Sequence, residues 1–177
     1  MALNPSIQDK LIEEINSVAD ENGDVEYDTL VKLPYIDAVL SETLRKYPPA
    51  IRNIRVASEN YKLGDTGIEL FKGQLVLIPV YAMHHDEQFY PDPERFDPTR
   101  FLPENRHSIV PYTYLPFGVG PRNCIGMRFA LLEAKLGLVK IIQKYKFVPT
   151  ENTDVPLKLD GLALLIAERV IVGIVKK

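Results

Sequence analysis

Residues 86–116 limit most sharply what this chain can fold into. They carry Pro91, Pro93, Pro98, Pro103, Pro111 and Pro116, with Pro79 just upstream as a boundary. Proline fixes φ and lacks a backbone donor, so neither a central strand nor an uninterrupted helix fits here. A non-periodic run of this length is uncommon inside a compact domain and is usually functional or disordered. Its aromatics, Phe89, Tyr90, Phe96, Phe101, Tyr112 and Tyr114, favour an ordered, packed meander over a flexible linker. A Gly-rich turn ends the tract. The longest helix is then expected over 126–145, apolar around much of its circumference, as in a helix buried within a larger protein.

Upstream, the pattern is helical and then extended. Asn4 can cap a first helix, Pro5 suits its first position, and Ile7, Leu11, Ile15 and Val18 form one apolar stripe. Asn22-Gly23-Asp24 reads as a turn, and residues 28–32 as a short amphipathic stretch. A second helix is expected over 34–46, stopped by Pro48-Pro49. Strand-like runs follow at 51–57, 61–63 and 75–80, punctuated by Gly64, Gly67 and Gly73. Two more, at 162–166 and 170–175, close the chain. Its 177 residues suffice for one domain with a real core.

A net charge of -3 with no basic stripe argues against a nucleic-acid partner. No apolar run approaches the ~18 residues that span a bilayer, so the chain reads as soluble and has no membrane segment. Met1-Ala2-Leu3-Asn4-Pro5 lacks the charged and apolar regions of a signal peptide. The single cysteine, Cys124, excludes an internal disulfide and a multi-thiolate zinc site. His84 and His85 are adjacent, so their side chains diverge and a shared metal is not expected; His107 reads as a loop residue. No Ser-His-Asp or Cys-His grouping has the surroundings of a hydrolase.

A lone cysteine is most often a small buried hydrophobe. The neighbours of Cys124 change that reading. Phe117-Gly118-Val119-Gly120-Pro121-Arg122-Asn123-Cys124-Ile125-Gly126 fits Phe-x-x-Gly-x-Arg-x-Cys-x-Gly at every fixed position, a coincidence expected about once in three million starts. The segment resembles the haem loop of the cytochrome P450 family. A thiolate on haem iron donates electron density that favours O–O cleavage. A free thiol has a pKa near ~8.5, so the site must favour the anion, and the N-terminus of the following helix supplies a dipole and free N–H groups. Gly118, Gly120 and Gly126 are expected to let the backbone approach sulfur and porphyrin where a Cβ would clash. The resemblance implies haem b, iron protoporphyrin IX, with Cys124 as axial ligand. It also implies Phe117 over the sulfur, Arg122 on a propionate, and Gly118, Ile125, Gly126 and Ala130 against the cofactor.

Glu42 and Arg45 stand three apart on the expected 34–46 helix, close enough to pair. A pair like this on a surface is worth little. Here it lies among Val39, Leu40 and Leu44, upstream of Pro93-Glu94-Arg95-Phe96, which resembles the family's meander motif. The resemblance implies a buried triad of Glu42, Arg45 and Arg95. It further implies that Arg55 binds the second propionate, that Ala50 and Asn53 face substrate, and that Leu162 lies in a second substrate-facing loop. The role it implies for His84 is structural.

The fold implied is mainly α with small β-sheets (α+β), the C-terminal haem-binding part of the family's fold. Within 1–177 this comprises the Glu-x-x-Arg helix 34–46, the meander 86–116, the thiolate loop 117–126 and the buried helix 126–145. The resemblance runs from about Pro5 to the C-terminus but covers only the last part of the family's usual length. The N-terminal anchor, a propionate-holding helix and the long central helix with its proton-delivering acid/alcohol pair have no counterpart here. The first reading is a monooxygenase, present as a C-terminal fragment, that inserts one atom of O2 into an apolar substrate with electrons from an NADPH-dependent reductase. By resemblance the full-length protein would sit at the endoplasmic reticulum membrane. A non-catalytic haem-binding or regulatory remnant is the second reading, and an unrelated redox-sensing thiol protein the third.

Overall fold

The computed structural model describes residues 1–161 and 164–177. It mixes helices with four small two-stranded antiparallel sheets. In chain order the elements are α1 (Pro5–Asn16), α2 (Tyr27–Leu30), α3 (Pro34–Lys46), β1 (Asn53–Val56), β2 (Tyr61–Lys62), β3 (Glu69–Leu70), β4 (Leu75–Ile78) and α4 (Val80–His84). Two 3-10 turns, Pro98–Phe101 and Arg106–Ser108, interrupt the meander, and a third, Gly120–Arg122, lies in the thiolate loop. After them come α5 (Met127–Ile142), β5 (Tyr145–Val148), β6 (Leu159–Asp160), β7 (Ile166–Ala167) and β8 (Gly173–Lys176).

The core forms where three amphipathic faces meet. Leu11 and Ile15 of α1, Leu30, Leu33, Ile36 and Val39 around α2 and α3, and Val139 and Ile142 of α5 are all buried together. Each aliphatic side chain so buried contributes about 1.5–3 kcal/mol relative to exposure. Two polar side chains fasten this cluster. Gln8 is buried and pairs with β5 as a strand would: its amide donates to the Phe147 carbonyl (3.1 Å) and accepts from the Phe147 N–H (2.8 Å). The Glu14 carboxylate accepts from the Tyr35 and Ile36 N–H groups (2.7 and 2.9 Å), capping α3 from outside its own sequence.

Helix α3 has a second buried stripe, Ala38, Glu42 and Arg45, spaced as successive turns of one face. Against it the meander packs Tyr90 and Phe101. One helix thus carries the apolar core on one side and the buried ionic site on another.

Several expectations change. The Asn4 side chain makes no capping bond; the Asn4 carbonyl accepts from Ile7 and Gln8 instead. Val80 opens α4 rather than ending a strand, so β4 stops at Ile78. The long helix ends at Ile142, because Tyr145 joins β5, whose partner is β8 in the register Tyr145 to Lys176. Burial along α5 is confined to Lys135, Val139 and Ile142, while Phe129, Leu136 and Ile141 are exposed within this chain. The Lys135 ammonium offsets its burial through Asp37 (2.7 Å) and the Val31 carbonyl (2.9 Å). Among the described residues the last strands are β6, β7 and β8; of the run expected over 170–175 only residues 173–175 are in a strand, and the run expected over 162–166 lies partly outside the described residues. Leu162 lies outside the described residues.

Candidate functional site

The thiolate loop is closed by its own backbone. Gly118 N–H donates to the Leu115 carbonyl (3.1 Å), Asn123 N–H to Gly120 (3.1 Å) and Cys124 N–H to Phe117 (2.8 Å). Gly118 and Gly120 hold φ of +72° and +78°, a region that side-chain-bearing residues adopt only with strain. Their requirement is therefore conformational. At Gly126 an added Cβ would stand 4.0 Å from the Cys124 sulfur, an ordinary contact, so the clash expected there does not occur within the chain's own atoms.

Cys124 is exposed and sits two residues before Gly126, the N-cap of α5. The first N–H groups of that helix lack intrahelical partners, which favours negative charge near the loop's end. Ile125 is fully exposed and Phe129, one turn further along, is 71% exposed. Ala130 is also exposed, Phe117 half-buried and Arg122 exposed at the end of its 3-10 turn. A thiol beside an uncovered apolar rim at a helix N-terminus is a donor set that fits a flat, apolar, metal-bearing cofactor.

Strand β1 runs beside this loop. A Cβ on Gly118 would meet the Asn53 amide at 3.7 Å, so Asn53 faces the loop. Arg55 follows two residues later on the same strand face; it is half-buried and its guanidinium donates to the Ile54 carbonyl (2.9 Å). Ala50 forms a β-bridge with Leu164, and Leu165 N–H donates to the Pro49 carbonyl (2.9 Å). The C-terminal segment therefore lies against the entry to β1.

Behind the loop stands the ionic frame. Glu42 and Arg45 are both fully buried. Arg45 donates twice to the Glu42 carboxylate (2.7 and 2.8 Å), and to the carbonyls of His84 (2.9 Å) and Pro93 (2.8 Å). Glu42 also accepts from the Asp97 N–H (2.8 Å). The Tyr90 ring covers the guanidinium at 5.5 Å.

The third arginine is a correction. Arg95 is exposed and offers only its carbonyl to Arg45, at 3.4 Å. Among the described residues the guanidinium that joins Arg45 at Glu42 is Arg100, with Nε 3.8 Å from Oε1. Arg100 also donates to the carbonyls of Pro91 (2.6 Å) and Asp92 (3.0 Å). The signal was present as a near-repeat: Pro93-Glu94-Arg95-Phe96 is followed at once by Asp97-Pro98-Thr99-Arg100-Phe101. Phe101 is buried and Phe96 only partly so, which brings the second copy inward.

His84 is the other residue the sequence left underdescribed. Its imidazole is fully buried; Nδ1 lies 3.0 Å from the Arg45 carbonyl, and Nε2 accepts the Leu115 N–H at 2.9 Å. Burial pushes its pKa down to about 4, and the nearby Arg45 charge adds to that shift while the bond to the Arg45 carbonyl opposes it. Tyr114 stacks on the His84 ring at 5.5 Å and donates its hydroxyl to the Ser41 carbonyl (3.1 Å); burial raises its phenol pKa.

Among the described residues no cluster of three or more His, Cys, Asp or Glu could hold a metal ion, and no helix is long and apolar enough to cross a membrane. Comparison with known proteins agrees with the motif. The family model described as Cytochrome P450 matches residues 1–172. The chain is 48% identical over 172 residues to "Cytochrome P450 3A41" of Mus musculus, covering 97% of this chain and 34% of that protein. It is 49% identical over 172 residues to "Cytochrome P450 3A2" of Rattus norvegicus, with the same coverage. It is 51% identical over 159 residues to "Probable cytochrome P450 6a14" of Drosophila melanogaster, 89% of this chain and 31% of that protein. The chain spans about a third of the length of the curated relatives it matches. On the motif and these matches together, the chain belongs to the cytochrome P450 family.

Proposed function

We propose that this chain is the C-terminal, haem-holding part of a haem-thiolate monooxygenase, with Cys124 as the residue that would ligate the iron. The observation that carries the reading is the accessible Cys124 thiol, held at the N-terminus of α5 in a loop closed by Cys124 N–H on Phe117. When bound, haem supplies the activation of O2 and the transfer of one oxygen atom to an apolar substrate.

The chain's own residues do the holding. The N-terminus of α5, with its dipole and free N–H groups, lies beside the Cys124 sulfur. Phe117, Gly118, Ile125, Gly126 and Ala130 would form the apolar surface against the cofactor and exclude water from the sulfur side once it is bound. Arg122 and Arg55 are the residues that would hold the propionates. Glu42, Arg45 and Arg100 hold the meander, which is the approach to the loop. Ala50 and Asn53 belong to the substrate side, and the Ala50–Leu164 bridge brings the C-terminal segment to it.

Electrons would come from an NADPH-dependent reductase, and the complete protein would work at the endoplasmic reticulum membrane. The test is spectroscopic. The reduced, CO-bound protein should show the Soret band of thiolate-ligated haem, and Cys124→Ala should abolish it. Bound haem without that band, or a band that survives Cys124→Ala, would refute the assignment.

A further inference from the structure

Resting on the haem-thiolate reading, we infer that His84 is a positioning residue that sets the register of the thiolate loop by fastening the Leu115 backbone amide to helix α3.

The hydrogen-bond partners determine the proton's place. Nε2 accepts from the Leu115 N–H, so it carries a lone pair rather than a proton. The proton is then on Nδ1 and is donated to the Arg45 carbonyl. Only the neutral Nδ1–H tautomer satisfies both contacts; an imidazolium would aim one N–H at another. The depressed pKa agrees with this geometry. Arg45 returns the contact by donating to the His84 carbonyl at 2.9 Å. The imidazole and the guanidinium therefore hold each other's backbone; the guanidinium goes on to the meander at Pro93, and the imidazole goes on to Leu115.

What it reaches is the root of the loop. Leu115 is buried and stands two residues before Phe117. Its N–H goes to His84 while its carbonyl accepts from Gly118, the first residue of the turn at positive φ. Phe117 in turn accepts from Cys124. Four hydrogen bonds thus lead from the Arg45 carbonyl to the ligand's own amide. Tyr114 braces the same point, stacked on His84 and bonded to Ser41. With the His84–Leu115 bond lost, a buried N–H has no partner and the turn can rotate to seek one.

Two variants separate positioning from general core packing, both made in the complete natural polypeptide carrying this segment and loaded with haem. His84→Gln places a carbonyl oxygen near the position of Nε2 and keeps an acceptor for Leu115. His84→Asn places an amide nitrogen near Nδ1, keeping the bond to Arg45 and abandoning Leu115. At equal haem content, His84→Gln should retain the wild-type proportion of thiolate-type ferrous-CO Soret absorption. His84→Asn should convert at least half of it to the thiol-type band, and its Leu115 amide should exchange hydrogen at least tenfold faster.

Equal conversion by both variants, or a wild-type proportion in His84→Asn, would overturn the positioning role alone. If His84→Asn does not accumulate folded, the Gln variant decides. A retained band with a protected Leu115 amide supports the inference, and a folded, haem-bearing Gln variant that has lost the band overturns it. A wild-type protein with no thiolate-type band would overturn the haem-thiolate reading and this inference with it.

Discussion

Replacing Arg45 by alanine removes a guanidinium that has no exposed surface and four hydrogen bonds of 2.9 Å or less. Breaking a buried pair by deleting one partner costs about 3–5 kcal/mol, because the other charge stays behind. Glu42 would keep the Asp97 N–H and the Arg100 guanidinium 3.8 Å away, and lose both contacts from Arg45. The His84 and Pro93 carbonyls would also lose a donor, at about 1–3 kcal/mol each, less whatever entering water recovers. The total reaches at least ~5 kcal/mol, a large share of the roughly 5–15 kcal/mol that stabilises a native domain. Two further variants calibrate the scale. Arg100→Ala loses contacts to Pro91 and Asp92 and its 3.8 Å approach to Glu42, at a half-buried position, and should cost about 1–2 kcal/mol. Arg95→Ala removes an exposed side chain and should stay within about 0.5 kcal/mol. Urea unfolding of the complete polypeptide, followed by far-ultraviolet circular dichroism, measures all three. The order should be Arg45, then Arg100, then Arg95, with haem retention falling in the same order. If Arg95→Ala proved as damaging as Arg100→Ala, the reassignment of the third arginine would fail.

Acidification should unlatch His84. Its folded-state pKa, about 4, lies below the ordinary 6.5, so the unfolded chain binds the extra proton first. The neutral imidazole's contribution is complete above pH ~6.5 and is lost as pH falls toward 4, up to about 3 kcal/mol. Thermal melts between pH 7 and 4 should therefore be steeper in pH for the wild type than for His84→Gln, and equal slopes would count against the buried neutral state. Separately, Glu14→Gln should cost about 1 kcal/mol in urea denaturation, because the carboxylate holds two N–H groups and faces the positive end of α3; an unchanged midpoint would show the cap to be idle.

Local chemistry was legible wherever proline and glycine punctuate the chain. Pro34 and Pro48 bracket α3, and the positive-φ turns at Gly118 and Gly120 follow from their residue type. Elements fixed by distant partners were not legible. Tyr145 leaves the helical pattern only because β8 offers it a strand partner. Leu75 to Val80 reads as one apolar run, and only Pro79, at the N-cap of α4, marks the break between β4 and α4. The Gln8 and Glu14 side chains replace backbone partners across long sequence separations, and a polar residue on an amphipathic helix gives no sign of doing so.

The hardest choice, between Arg95 and Arg100, also explains why an irregular tract can be ordered at all. A run with only two short 3-10 turns must still find partners for its backbone groups. Here the charged side chains are those partners. Arg45 takes the Pro93 carbonyl, Arg100 takes those of Pro91 and Asp92, and Glu42 takes the Asp97 N–H. The ionic frame is therefore the meander's substitute for secondary structure. A guanidinium suits this use because its donors are fixed in a plane and can reach several carbonyls at once. Motif matching asks which arginine sits in the better-spelled tetrapeptide; the fold asks which one can turn inward while Phe101 is buried beside it. The second condition depends on packing against Ala38 of α3, and so it places the third arginine at position 100.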